Sequence, residues 1–143
     1  MLHPKEIGDR TTIAVMFALK LRGETVLVPF GENVRYDLVA DDGRRLSRIQ
    51  CKTGRLREGV IRFNVCSSYS HHAKPPVEAK RTYKGQIDEF GVFCPDTGTV
   101  YRIPIEDVPN ERVATLRVAP ARNRQIKNVR PAVMYEVARV DVY

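Results

Sequence analysis

Residues 35–54 read RYDLVADDGRRLSRIQCKTG. Two apolar runs, one around Leu38 and one around Ile49, flank the pair Asp42-Gly43. An Asp-Gly pair between such runs predicts a β-hairpin. Side chains alternate between the two faces of a strand. Gln50 and Lys52 therefore share one face, and Ile49 and Cys51 share the other. If Leu38 joins Ile49 and Cys51 in a core layer, Asp37 falls on the face of Gln50 and Lys52. An acid, an amide and an ammonium then meet on two adjacent strands.

That set suits hydrolysis of a phosphodiester. The substrate is already anionic and repels an attacking hydroxide. A divalent metal held by a carboxylate neutralises that charge and lowers the pKa of a bound water. Magnesium prefers hard oxygen ligands and retains several waters. Asp37 offers a carboxylate oxygen, Gln50 its side-chain carbonyl and Cys51 its backbone carbonyl. Lys52 would orient the attacking water or stabilise charge developing on phosphorus. On spacing alone, a surface salt bridge between Asp37 and Lys52 is the simpler reading.

Outside the hairpin, residues 11–22 predict a helix, with Ile13, Met16, Phe17 and Leu21 at helical spacing and Gly23 as its stop. Ala14, Val15, Ala18 and Leu19 make the rest of its surface apolar, as in a helix covered on more than one side. Strands are expected at residues 25–29, 36–40, 46–53 and 60–65. Residues 67–84 hold three serines, His71, His72, two prolines, Lys80, Arg81 and Lys84, and predict a long basic loop. Residues 87–93 and 100–105 predict a second hairpin, and residues 113–118 a further strand. Residues 121–130 are basic and polar, and residues 131–142 suit a short helix or an edge strand. No repeat or linker interrupts the 143 residues, so one domain is expected.

The chain carries 24 Lys and Arg against 17 Asp and Glu, a formal net charge of +7. Its pI is about 9.6. A small domain this basic is a candidate for binding a polyanion, although a merely soluble cationic protein has the same balance. Cys51, Cys66 and Cys94 form no CxxC pair, which argues against a zinc site and for buried free thiols in a reducing compartment. Pro4, Lys5, Glu6, Asp9 and Arg10 interrupt any signal-peptide pattern, and the apolar run at residues 11–19 is too short to cross a bilayer. The expected location is the cytoplasm, or the host-cell cytoplasm for a viral chain, with no membrane partner.

The segment Arg35-Tyr36-Asp37-Leu38-Val39, a turn, and then Ile49-Gln50-Cys51-Lys52-Thr53-Gly54 resembles the PD-(D/E)XK nuclease superfamily. The opening helix preceded by Gly8 and the run Tyr83-Lys84-Gly85-Gln86-Ile87-Asp88 fit the same pattern. The nearest branches are the archaeal-type Holliday junction resolvases and the group I intron-associated endonucleases. The likeness covers roughly residues 5–105. It implies an α/β fold with a central mixed sheet and flanking helices. It also implies a DNA endonuclease using Asp37, Gln50 and Lys52, with metal held by Asp37, Gln50 and Cys51. Magnesium is the expected cofactor, and manganese is expected to serve as well.

Two positions depart from the family pattern. Gln50 stands where many members carry Glu, as it does in the intron-associated branch. Thr12 stands four residues after Gly8, where both branches usually place a Glu. Asp9 or Glu6 is the candidate substitute, although a plain charge at the helix start explains Asp9 more simply.

Arg10, Arg35, Arg55, Arg57, Lys74, Lys80, Arg81 and Lys84 flank the proposed site in sequence and as a group favour DNA. His71-His72 and Ser67-Ser68-Tyr69 read as loop residues able to meet phosphate. The expected substrate is a four-way DNA junction nicked in pairs by a homodimer, because no appended DNA-reading module is visible. Two readings compete with it: a sequence-selective homing endonuclease, and a nuclease-fold protein that only binds DNA. Intact Asp37 and Lys52 argue against the last.

Overall fold

The computed structural model describes residues 2–70, 78–119 and 130–140. His71, His72, Lys74, most of the basic stretch at residues 121–130, and residues 141–142 lie outside the described residues.

The chain opens with α1 (Pro4–Leu21), which begins seven residues earlier than its apolar periodicity indicates. His3 caps it by accepting the amide N–H of Lys5, and Pro4 occupies the first turn, where a missing N–H is harmless. Its first two turns are exposed and polar, so they carry no burial signal. Gly8 lies inside the helix and does not precede it. The helix stops as expected: Gly23 takes φ +79 just beyond it.

The strands β1 (Thr25–Leu27), β2 (Leu38–Asp41), β3 (Leu46–Thr53), β8 (Glu89–Cys94), β9 (Thr99–Pro104) and β11 (Glu136–Arg139) form a six-stranded sheet in the order β1-β2-β3-β8-β9-β11. Every pairing is antiparallel except β3 with β8, so the sheet is mixed. The first hairpin forms with Leu38 opposite Ile49. Its turn is held by the Asp42 carboxylate, which accepts the amides of Arg44 and Arg45, while Gly43 takes φ +93. The described residues 131–140 combine both readings of that stretch, with a 3-10 turn (Ala132–Tyr135) leading into the edge strand β11.

Two core layers sandwich this sheet. On one face Ala14, Val15, Ala18 and Leu19 of α1 pack on Leu38, Ala40, Ile49, Cys51 and Val100. On the other face Phe90, Val92, Cys94, Tyr101 and Ile103 meet Ile61, Phe63, Ala114 and Leu116. The second group belongs to a three-stranded sheet, β10-β5-β4, formed by β4 (Arg55–Arg57), β5 (Val60–Asn64) and β10 (Val113–Arg117). Among the described residues the flanking helices therefore reduce to one α-helix, and a small sheet covers the opposite face.

Two short segments differ from the sequence reading. Strand β4 is only three residues long and turns into β5 through Glu58-Gly59, both at positive φ. A Glu in that conformation is uncommon, so the turn gave no signal. The predicted loop at residues 67–84 contains a hairpin, β6 (Cys66–Ser70) paired with β7 (Glu78–Thr82). Its serine-rich, basic composition is poor strand material, and the ladder between the two segments supplies the order. The three cysteines are free; Cys51 and Cys94 are buried, while Cys66 is only half-buried and donates to the carbonyl of Glu111.

Candidate active site

Asp37 stands one residue before β2, where the β2–β3 ladder ends. Its backbone N–H still donates to the carbonyl of Ile49 at 2.9 Å. Its side chain then continues the ladder: Oδ2 accepts the amide of Cys51 at 2.9 Å. Burial pushes the Asp37 carboxyl above its usual value, against the opposing pull of the Cys51 N–H and the Lys52 charge.

Strand β3 alternates as its sequence requires. Ile49 and Cys51 lie in the α1 layer, while Lys52 reaches the other cluster. Gln50 is half-buried. The ammonium of Lys52 donates to the hydroxyl of Tyr83 at 3.1 Å and lies 4.9 Å from the centre of its ring. Asp37 and Lys52 feel one another's charge, but no direct ion pair joins them among the described residues. The plain surface salt bridge is thus not what the hairpin forms.

Thr12 faces this region from α1. Its hydroxyl donates to the carbonyl of Gly8 and lies within reach of the Cys51 sulfur. The Cys51 thiol is held well above its ordinary pKa by burial and by the neighbouring Asp37 charge. Of the candidate substitutes for a helix carboxylate, Glu6 pairs with Arg10 one turn away and Asp9 is exposed. Among the described residues no three His, Cys, Asp or Glu side chains gather into a metal cluster. The available donors are one carboxylate, one amide oxygen and one backbone carbonyl. These are hard oxygens of the kind a magnesium ion takes alongside its own waters.

The flanking cations divide. Arg35 is not a free rim charge. Its guanidinium donates to Gln86 at 2.6 Å, Ser67 at 2.7 Å and the carbonyl of Thr82 at 2.9 Å, and it stacks 4.0 Å from the centre of the Tyr83 ring. These contacts tie the base of the paired strands β6 and β7 to the segment before β2 that carries Asp37. Arg10, Arg55, Arg57 and Lys84 are exposed, and Lys80 and Arg81 are on β7.

Sequence reasoning missed the parts played by Tyr83, Arg48 and Asp88. Asp88 accepts from the backbone and the side chain of Arg48, which seats β8 beside β3 and holds the Asp88 carboxyl below its usual pKa. A tyrosine next to a basic turn carries no local sign that its ring is buried.

A profile of the PD-(D/E)XK endonuclease family matches residues 2–138. Among solved structures, a bacterial homing endonuclease superposes with a TM-score of 0.68 at 21% identity, over 95% of this chain and 88% of that one. Among curated protein sequences no relative matches.

Proposed function

The chain belongs to the PD-(D/E)XK endonuclease family, and from that premise we propose that it is a single-domain, divalent-metal-dependent DNA endonuclease acting through Asp37, Gln50 and Lys52. The observation that carries this reading is the Asp37 carboxylate on the Cys51 amide, beside Lys52 on the same strand. Asp37, Gln50 and the carbonyl of Cys51 would hold the ion, with magnesium or manganese the fitting choices. When bound, the cation offsets phosphate charge and lowers the pKa of a water. The Cys51 amide orients the Asp37 carboxylate. Lys52 presents its ammonium to the phosphate or to the attacking water, where charge develops in the transition state. Arg10, Arg55, Arg57, Lys84 and the basic β7 would follow the phosphate backbone.

The substrate we propose is a long duplex site read by sequence. The junction reading rested on the lack of a DNA-reading element. The paired strands β6 and β7 support the duplex reading, since a two-stranded ribbon fits the major groove. The similarity to a bacterial homing endonuclease points the same way. A homodimer would supply two nicks related by twofold symmetry.

The test is cleavage of a randomised duplex library beside four-way junctions of unrelated sequence, with and without magnesium. Sequencing of the cut ends should recover one long motif, and the junctions should remain whole. Cutting of every junction regardless of sequence would establish a Holliday junction resolvase instead. No cutting of either substrate with magnesium or manganese would remove the endonuclease reading.

A further inference from the structure

We propose that Tyr83 is a positioning residue that fixes the ammonium of Lys52. The inference rests on the role given to Lys52 above.

Tyr83 is only 3% exposed. Its ring stands edge-on to Phe90, 5.6 Å between centres, and Phe90 in turn meets Phe63 at 5.9 Å. Arg35 lies 4.0 Å from the ring centre and is itself tied to Gln86, Ser67 and Thr82. The ring is therefore held by packing on apolar neighbours and by a braced guanidinium. Its hydroxyl is delivered to a set point, where it accepts from Lys52.

A lysine side chain has a flexible four-carbon stem and resists being fixed. A group that acts on a transition state must be held to roughly half an ångström. The Lys52 ammonium has the Tyr83 hydroxyl as its hydrogen-bond partner, and the field of Asp37 acts on it without a direct pair. Removing the hydroxyl frees the ammonium to sample other positions while leaving the ring, its packing and the Arg35 stack in place.

The test is Tyr83→Phe, read three ways. Single-turnover cleavage at saturating DNA and magnesium should fall by about 10- to 100-fold, the loss that misplacement of a reacting group brings. DNA affinity and melting temperature should stay near wild type. Acylation of Lys52 by an amine reagent, followed by peptide mass spectrometry without DNA or metal, should speed up severalfold. That last readout does not depend on nuclease activity. Faster labelling in a protein whose wild type cuts no DNA would uphold the positioning and remove the nuclease reading. Unchanged labelling and turnover would overturn the positioning role. So would a loss of turnover matched by equal losses of DNA affinity and melting temperature, which would mark Tyr83 as a prop of the fold.

Discussion

Asp37 must be ionised for its proposed role, yet burial favours its neutral form and raises its pKa. A carboxyl whose folded-state pKa lies above its unfolded value adds stability at low pH, and that stability is lost as pH rises through the folded value. Without metal, the ionised Asp37 at pH 7 is therefore a cost to the fold. Asp37→Asn keeps an oxygen to accept the Cys51 amide and removes the charge. In EDTA at pH 7 it should melt at or above the wild-type temperature. The gap should narrow as the pH falls and the wild-type carboxyl takes up its proton. Calorimetry at both pH values checks this. A variant less stable by the same margin at both would show that the carboxylate is needed structurally.

At the level of elements, the approach of α1 to the sheet depends on Gly91. A Cβ there would lie 2.9 Å from Val15 and 3.0 Å from Ile49. Gly91→Ala should push the helix off the strands that carry the site, at a cost of about 1–3 kcal/mol. For a chain this size that lowers the melting temperature by roughly 2–4 °C per kcal/mol. An unchanged melting curve would show that the helix yields freely.

The hairpin around Asp42-Gly43 and the strand at Leu46–Thr53 were legible because their alternation and turn residues are local signals. The body of α1 was legible through its buried Ala14, Val15, Ala18 and Leu19. Its first turns, the three-residue β4 and the β6–β7 hairpin were not, because neither propensity nor burial marks them and their order comes from partners. The same holds within the site. The pattern of Asp37, Gln50 and Lys52 can be read from spacing and resemblance. The Tyr83 hydroxyl and the Arg35 brace arise from contacts across more than thirty residues of chain.

For the whole molecule, a homodimer is the natural way to cut two strands. The proposed homodimer would bury exposed apolar side chains of α1, of which Ile13 is 64% and Leu21 55% exposed. Ile13→Glu should convert a dimer to a monomer by light scattering without lowering the melting temperature of the domain. A protein that is monomeric before the change would remove the dimer from the account.

Asp37, Gln50 and Lys52 are proposed to form one metal-dependent hydrolytic site. The decisive measurement is single-turnover cleavage of a duplex carrying the motif recovered from the library, by the wild type and by Lys52→Ala, each with magnesium and with EDTA. Binding, spread over many phosphates, should survive the substitution, while the transition-state contact is lost. The wild type should cleave only with magnesium, and Lys52→Ala should lose at least about 100-fold in rate with DNA affinity retained. Cleavage near the wild-type rate by Lys52→Ala, or by either protein in EDTA, would contradict it.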